Sequence, residues 1–586
     1  MAKKHQKNII TKPKVKSSSQ KPFEYTKYVK NSVLFIFFVF IVLLTFTKIN
    51  GEDDIFWHLA TGKYIVENKT VPSTDVFGFA SQGVQWIPFE WGWDVLSYVI
   101  FSVGDFTGLY VLNALLTALI FYLLYNILDK YKIPFFYSLF FLIILALGIK
   151  YRLGIKPQMF SYLFLILTLK IIVDYKYFKA NPNYLFFIPF IFLLWTNMHM
   201  GVLTGILLFF VFVVSEIYLL YKNKNAGNRN LYILLAAFGI SVAAMLINPN
   251  SYNTYLYTYS HSQMKMLDEI YEWYSPFHQQ YAGKLFIYIY YLFLAGFFVV
   301  LYDSYRKKYW FPAVVYLLFA VISVRGVRFT TDFMLASTVF FAFSFYDLYS
   351  GKNYFRKICS NKLSVYFLSG ILILFIILIP GNNLFRFIGF NSVFGTGIYE
   401  PTFPVDAFRF IKDNKVYEEG NRPFHTFDYG GYFVWNFYGS KNFIDSRNLY
   451  DSLYYDFKKI YNKSPDYLVL IDKYDFDYFV VFRPALSPQD LENSVVSYLS
   501  RNNDKWKLIY FDNQSLLFVK NNVSFADLIA KYEFKFFTPY NLIYNKTFIE
   551  KAIRENKDLL IKEVERKKSE EPMSFFLQYF YKNFKL

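Results

Sequence analysis

The sequence predicts an α-helical membrane protein that crosses the bilayer about eleven times, followed by a small α/β domain and a helical C-terminal tail. Hydrophobic residues make up 55% of its 586 residues and charged residues only 18%, whereas soluble domains average about 25% charged residues. Long apolar stretches recur up to residue 380, and alternate loops between them are basic. A soluble globule, a disordered chain and a coiled coil are therefore excluded. The single cysteine, Cys359, excludes a disulfide framework and a Cys-rich metal module.

The apolar stretches predict the number of crossings and their direction. Predicted spans lie at 32–48, 108–128, 134–149, 158–174, 184–198, 202–221, 231–247, 285–302, 311–323, 329–346 and 363–380. The first 30 residues carry nine lysines and one glutamate, which predicts a cytoplasmic tail that meets anionic lipid rather than nucleic acid. Every loop on the same side as that tail contains Lys or Arg. The odd number of spans then leaves the C-terminus outside a bacterial cytoplasmic membrane.

Four regions follow from this topology. They are the tail 1–30, a transmembrane domain 31–380 with an outer loop 49–107, an extracytoplasmic α/β domain 381–522, and a helical extension 523–586. The outer loop contains a semi-buried helix in EWGWDVLSYVIFSV rather than another crossing, because Glu90 and Asp94 are costly within lipid.

The α/β domain is predicted from alternating segments. We expect helices at 405–413, 431–436, 452–461 and 488–501, extended segments at 422–426, 442–444 and 478–482, and a hairpin at 506–520 that turns at Asp512–Asn513. Such alternation is typical of a mostly parallel sheet.

An acidic cluster follows the first span. Glu52, Asp53 and Asp54 precede Trp57 and His58, and a helix here would put Asp54 and His58 on one face. A carboxylate at this boundary is a candidate general base, with Asp54 the first choice. The alternative is a solvated cap on a helix N-terminus. Two ligands are weak support for a metal, so metal ligands stay unknown and a divalent ion stays open.

Cations occupy two outer turns, against the trend of the inner loops. Lys150, Arg152 and Lys156 lie in KYRLGIKPQ, and Arg325 and Arg328 lie in VRGVRF. The planar guanidinium fork of arginine suits phosphate oxygens, which favours a phosphate-bearing lipid ligand. The alternative is contact with lipid headgroups or with acids of the outer loops.

Polar groups at other outer helix ends complete the candidate substrate-binding set. Asn197 and His199 lie in LLWTNMHMG, and Glu90 lies in the first outer loop. Taken alone, His199 is better explained as a satisfied buried histidine. The segment EIYEWYSP adds Glu272 and Trp273, of the kind that suits sugar rings or an interfacial aromatic belt.

The outer domain offers less chemistry. Gly430–Gly431 resembles a phosphate-cradling turn, but both the Walker spacing and a GxGxxG are absent. Asp445 and Arg447 are predicted to form a structural ion pair or to line a cleft. No pattern typical of a Ser-His-Asp or Cys-His nucleophile stands out.

Together these segments resemble a polytopic GT-C-type glycosyltransferase, and more narrowly a bacterial membrane family with an Asp-x-Asp-x-x-Trp-His-Leu-like segment. The similar segments are EDDIFWHL (52–59), PSTDVFGF (72–79), WIPFEW (86–91), WTNMH (195–199), and GGYFVW with NFIDSR (430–435 and 442–447). They are spread over about residues 30–520. Glu52 replaces the first acid of the family pattern, and Lys156 replaces the arginine expected before Pro157.

The resemblance implies a GT-C-like fold and a polyprenyl-phosphate-sugar donor at the outer face. The phosphate would lie near the outer cations, and a carboxylate of the first outer loop would deprotonate the hydroxyl of a glycan, lipid or protein acceptor. The competing function is a non-catalytic scaffold or a transporter of lipid-linked glycans in cell-envelope assembly. A transporter would carry charges in mid-span, whereas the ionisable residues here cluster at helix ends.

Overall fold

The computed structural model describes residues 27–51, 54–222, 229–484 and 487–584. By its internal contacts the chain divides into two compact units. Unit 1 comprises residues 1–48, 89–259 and 267–397, and unit 2 comprises 49–88, 260–266 and 398–586. Unit 2 therefore joins the segment after the first predicted span to the C-terminal residues. The predicted tail 1–30 lies largely outside the described residues.

Unit 1 contains the apolar helices. Within the described ranges, seven are long and apolar enough to cross a membrane: Lys27–Thr45, Trp91–Lys130, Phe135–Arg152, Gln158–Phe178, Val202–Lys222, Leu285–Lys307 and Val327–Tyr349. A pair bent by 57°, Asn353–Cys359 with Lys362–Leu378, could be an eighth, and shorter apolar helices are Pro182–Trp195, Arg229–Met245 and Phe311–Val324. Each predicted span overlaps one of these elements. A multi-pass membrane protein is confirmed, whereas eleven crossings stay a prediction.

The first outer loop contains the expected semi-buried helix. It continues into the second predicted span as one helix, Trp91–Lys130, broken by non-helical dihedrals at Asp105 (φ 51°, ψ −155°). Trp93 and Asp94 are buried in its first part. The break lies just before residue 108, where the apolar stretch begins. Residues 248–284, between the predicted spans 231–247 and 285–302, contain only short helices, Asn253–His261, Lys265–Glu269, Tyr271–Trp273 and Gln279–Tyr281.

Unit 2 is built around a four-stranded sheet. Its strands are β1 (Pro423–His425), β2 (Tyr478–Phe482), β3 (Trp506–Phe511) and β4 (Ser515–Lys520), in the order β1-β2-β4-β3. Only β1 and β2 are parallel, and both other pairings are antiparallel. The prediction of a mostly parallel sheet was therefore wrong. The short turn after Phe511 forces β3 and β4 to be antiparallel, and β4 then pairs with β2 in the opposite direction.

Most local predictions for this unit agree with the structure. The hairpin turns at Asp512, whose Oδ1 accepts hydrogen bonds from the backbone N–H groups of Gln514 and Ser515, both at 2.7 Å. The predicted helix 488–501 is two helices, and 442–444 contributes only an isolated bridge. The α-helices of unit 2 are Asp54–Asn68, Val405–Asp413, Val416–Glu419, Gly430–Asn436, Asp451–Tyr461, Tyr467–Tyr474, Pro488–Glu492, Val495–Arg501, Ala526–Tyr532, Pro539–Tyr544, Lys546–Glu555, Lys557–Glu570 and Phe575–Asn583.

The C-terminal helices cover the free edge of β3. The Phe534 N–H donates to the Leu508 carbonyl at 2.8 Å, and Arg566 Nη2 donates to the Ile509 carbonyl at 2.9 Å. The fully buried ammonium of Lys567 donates to the Phe511 carbonyl. An uncovered edge strand is a template for aggregation. Because these donors occupy backbone carbonyls of β3, the C-terminal residues protect this edge of the sheet.

The direction of insertion can be tested by cysteine labelling. After Cys359→Ser, we expect Val523→Cys to react with a membrane-impermeant maleimide in intact cells, because Val523 is 93% exposed and belongs to the region predicted outside. Lys352→Cys, in a predicted cytoplasmic loop, should react only after lysis. The reverse pattern would contradict the predicted topology.

Candidate functional site

Two cations of one predicted outer turn, KYRLGIKPQ, contact the same carboxylate in unit 1. Arg152 Nη1 lies 2.5 Å from Glu272 Oε1, and Lys156 Nζ lies 3.3 Å from the same oxygen. The Arg152 side chain is 6% exposed and that of Glu272 is 30% exposed. The carboxylate therefore lies on the more open side of the pair.

Arg328 completes this group. Its guanidinium lies 4.5 Å from the centroid of the Trp273 ring, a cation–π distance. Burial alone would raise the pKa of Glu272, but the charges of Arg152, Lys156 and Arg328 lower it well below its ordinary value. Arg152, Lys156, Arg328 and Glu272 are called the cation cluster below.

Two buried donors in the turn that carries Arg152 have no acceptor among the described residues. They are Arg152 Nε and Gln158 Nε2. Buried donors are nearly always hydrogen-bonded in native proteins, so an acceptor-rich ligand would suit this turn. Glu90 also acts electrostatically on Arg328, and Asp332 interacts electrostatically with both Arg152 and Arg328. Acidic and basic side chains therefore lie together in this region, which is not a purely basic surface.

His199 is held in one tautomer beside the cation cluster. Its Nδ1 accepts from the backbone N–H of Gly201 at 2.9 Å and contacts Ser161 Oγ at 2.7 Å. Ser161 Oγ in turn accepts from Trp195 Nε1 at 2.7 Å. A backbone N–H can only donate, so the ring proton is on Nε2, which lies 3.5 Å from Glu90 Oε1.

Burial, with the charges of Arg328 and Arg152, lowers the pKa of His199 to about 3. The imidazole is therefore neutral at physiological pH and presents an Nε2–H donor. Gly201 permits the close approach, because a Cβ there would lie 2.2 Å from Ser161 Oγ.

Asn197 has a structural role in this region. Its Oδ1 accepts from Trp91 Nε1 at 2.8 Å, and its Nδ2 donates to the carbonyls of Leu193 and Ile247. Its backbone carbonyl accepts from the N–H of Gly92 at 2.9 Å. The amide thus fixes the start of the helix Trp91–Lys130, immediately after Glu90.

Asp54 is the first residue of the helix Asp54–Asn68 in unit 2. Its Oδ1 accepts a 2.7 Å hydrogen bond from Ser446 Oγ, and Trp57 Nε1 lies at 3.4 Å. His58 is buried, and its ring contacts that of Trp57 with centroids 3.7 Å apart and planes tilted by 33°. The predicted helix is confirmed, while Glu52 and Asp53 lie outside the described residues.

A buried ion network fixes the loop that contains Ser446. Arg447 donates to Asp445 through Nε (2.8 Å) and Nη2 (2.7 Å), and to Asp75 through Nη1 (2.6 Å). Its guanidinium also lies 4.5 Å from the Trp86 ring. Burial would raise the pKa of Asp75, but Arg447 and the hydrogen bond from Ser81 lower it. The predicted ion pair of Asp445 and Arg447 is confirmed.

The structure brings together only some of the predicted site residues. Glu90, Arg152, Lys156, His199 and Arg328 share one region of unit 1, whereas Arg325 is exposed at the end of the helix Phe311–Val324 and Lys150 is buried over Phe385. Sequence reasoning missed three contributors, Ser161, Asp332 and Ser446. Ser446 lies inside NFIDSR and so carried a signal, but Ser161 and Asp332 are ordinary helix residues.

The described residues do not form a metal-binding group. Among the described residues, no three or more His, Cys, Asp or Glu side chains are grouped so as to hold a metal ion. The acids Glu52 and Asp53 lie outside those residues. A divalent ion therefore stays a prediction, and turnover in the presence of a chelator tests it.

Solved structures with similar folds exist. Archaeal oligosaccharyltransferase AglB from Archaeoglobus fulgidus, in complex with an inhibitory peptide and a dolichol-phosphate, is 14% identical with a TM-score of 0.51 over 82% of this chain and 73% of that chain. An Archaeoglobus fulgidus oligosaccharyltransferase tethered with an acceptor peptide containing the NVT sequon is 15% identical with a TM-score of 0.50, over 85% of this chain and 74% of that chain. These neighbours have a GT-C fold, and the fold of this chain is similar to theirs. At this identity the likeness shows the fold alone.

A third neighbour is ArnT from Cupriavidus metallidurans bound to undecaprenyl phosphate, which is 10% identical over 86% of this chain and 98% of that chain. Its TM-score of 0.48 supports no conclusion. No protein-family model and no curated protein matches the chain. The predicted GT-C-like fold is confirmed, and the narrower family motifs stay a resemblance.

Proposed function

We propose that this protein is a membrane glycosyltransferase that moves a sugar from a polyprenyl-phosphate donor to an acceptor at the extracytoplasmic face. The observation that carries the proposal is the cation cluster. Arg152 and Lys156 pair with one carboxylate, Glu272, and the charge of Arg328 also acts on it, in a chain with a glycosyltransferase fold. The acceptor would be a glycan, a lipid or a protein.

The cation cluster would bind the donor phosphate. Arginine and lysine donors form short, charge-assisted hydrogen bonds to phosphate oxygens. Arg152 Nε, which has no acceptor among the described residues, offers one more donor. The AglB structure with dolichol-phosphate supports a lipid phosphate as the ligand class. Neutral His199 would add one more donor, its Nε2–H, and would not take up a proton itself.

Asp54 would act as the general base. In the reaction, the acceptor oxygen forms a bond to the anomeric carbon of the sugar while the carboxylate takes the acceptor proton. The bond between that carbon and the phosphate oxygen breaks, and the electron pair leaves with polyprenyl phosphate. Cations beside the phosphate stabilise the charge that develops on this leaving group.

Transfer can be measured with the purified protein in lipid nanodiscs. We expect sugar to move from a polyprenyl-phosphate-linked donor to an acceptor, with free polyprenyl phosphate as the second product. Nucleotide sugars supplied alone should give no product, because the proposed donor is a sugar linked to a polyprenyl phosphate. Donor binding without turnover under every condition would favour the scaffold or transporter function.

The cation cluster makes a separate prediction about donor affinity. Arg152→Ala or Arg328→Ala should weaken binding of the polyprenyl-phosphate donor about 10- to 100-fold, since a lost charged hydrogen bond costs about 1.5–3 kcal/mol. Titration with a fluorescent donor analogue measures this. Arg325→Ala is the matched control, because it removes an exposed arginine near the cluster. Donor affinity unchanged from the wild type in both Arg152→Ala and Arg328→Ala would assign these arginines to lipid headgroups.

A further inference from the structure

The side chains of Ser446 and Trp57 both contact one oxygen of Asp54. Ser446 Oγ donates to Asp54 Oδ1 at 2.7 Å, and Trp57 Nε1 lies 3.1 Å from Ser446 Oγ and 3.4 Å from Asp54 Oδ1. The indole N–H can only donate, so it is shared between the hydroxyl and the carboxylate. The serine hydroxyl must then direct its own hydrogen to Asp54. This contact joins positions 392 residues apart.

Ser446 lies between two buried, hydrogen-bonded residues of its loop. Both of its neighbours are buried, and Asp445 and Arg447 are joined by two hydrogen bonds between their side chains. Arg447 also binds Asp75, so the loop cannot shift without separating buried charges. The serine backbone therefore has little freedom to move.

The same loop lies against the helix that begins at Gly430, and that helix packs on the helix containing Asp54. A Cβ at Gly430 would lie 2.2 Å from the Ile444 carbonyl, so only glycine lets this loop lie so close to the helix Gly430–Asn436. That helix packs on the helix Asp54–Asn68, where the rings of Tyr432 and Phe56 have centroids 4.8 Å apart. The segments GGYFVW and NFIDSR thus cooperate to set the distance between Ser446 and Asp54.

We propose that Ser446 is a positioning residue that fixes the orientation of the Asp54 carboxylate through Oδ1. A carboxylate anchored at one oxygen cannot rotate freely, so its second oxygen faces one direction and can meet a hydroxyl in a defined geometry. The role rests on the proposed function of Asp54 as general base. In this proposal the buried Asp75–Arg447–Asp445 network contributes to catalysis as well as to stability. The network fixes the position of Ser446, and Ser446 orients the carboxylate of Asp54.

The activity test compares two substitutions. Ser446→Ala should lower kcat about 10- to 100-fold, the size of effect expected from a misplaced catalytic group, and leave KM for the donor unchanged. Ser446→Thr keeps the hydroxyl and should restore most of kcat. Ser452→Ala, at an exposed serine in the next helix, is the control and should match the wild type. Wild-type kcat in Ser446→Ala, or a loss that threonine does not restore, would overturn the proposal.

A second readout does not depend on turnover. The indole ¹H–¹⁵N resonance of Trp57, identified by its absence in Trp57→Phe, should shift in Ser446→Ala and stay close to its wild-type position in Ser446→Thr. An unchanged resonance in Ser446→Ala overturns the positioning role even if transfer is observed. If the wild type transfers no sugar from any donor, the proposed function fails and the catalytic role of Ser446 fails with it.

Discussion

Asp54→Asn is expected to lower the rate of sugar transfer about 100- to 10,000-fold, the usual contribution of a positioned general base. Asparagine keeps the size of the side chain and an oxygen that can accept from Ser446 and Trp57. The protein should therefore fold normally while the group that takes the acceptor proton is gone. Turnover of the purified variant, with and without a chelator, measures the effect and separates a base from a metal ligand.

The neighbouring acids provide the matched controls. Asp53→Asn should be milder if that side chain points to solvent, and Glu52→Gln should fall between if it orients the acceptor. Full turnover by well-folded Asp54→Asn would refute its role as base. If all three variants were active, the acidic cluster would be a helix cap, and the scaffold function would be favoured.

Arg447→Met is expected to destabilise unit 2 by about 3–5 kcal/mol, because it leaves the carboxylates of Asp75 and Asp445 buried without their common partner. Hydrogen–deuterium exchange of peptides covering 420–450 measures the local free energy of opening. Arg409→Ala is the control, since Arg409 and its partner Asp406 are exposed and such pairs contribute little. Equal protection in both variants would contradict the assigned role.

The same network predicts a pH dependence. Arg447 and Ser81 hold the pKa of Asp75 below its ordinary value of 3.8. A carboxyl whose pKa is lower in the folded state stabilises the fold above its unfolded pKa and loses that contribution as pH falls through the folded value. Protection of 420–450 should therefore fall as the pH drops below about 4, and this loss should be smaller in Asp75→Asn.

The sequence predicted what depends on local pattern and charge. Apolar stretches predicted the helices of unit 1. The cation cluster was indicated by arginines on the outer side, at positions 152 and 328, because they depart from the positive-inside trend. Glu272, the ion-pair partner of Arg152, was identified in the sequence only as one polar group among several. Its pairing with Arg152 joins residues far apart in the chain, and one sequence carries no signal for such a contact.

The sheet and the surroundings of Asp54 show the same limit. The strands β2, β3 and β4 were located correctly, but their pairing depends on how the hairpin docks on β2, which no local pattern specifies. The hydrogen bond between Ser446 and Asp54 depends on the close approach at Gly430 and on the buried pairing of Arg447 with Asp75. These are tertiary contacts, and they only became visible in the folded chain.

The most direct test of the proposed transferase is mass spectrometry of lipid-linked sugars and surface glycans in a deletion strain complemented with wild-type protein or with Asp54→Asn. We predict that the deletion strain and the Asp54→Asn strain both accumulate one polyprenyl-phosphate-linked sugar and lack that sugar on a surface glycan, lipid or protein. The wild-type gene should restore both pools. Full restoration by Asp54→Asn, or a deletion strain with unchanged pools, would contradict the assignment of this protein as a polyprenyl-phosphate-dependent glycosyltransferase.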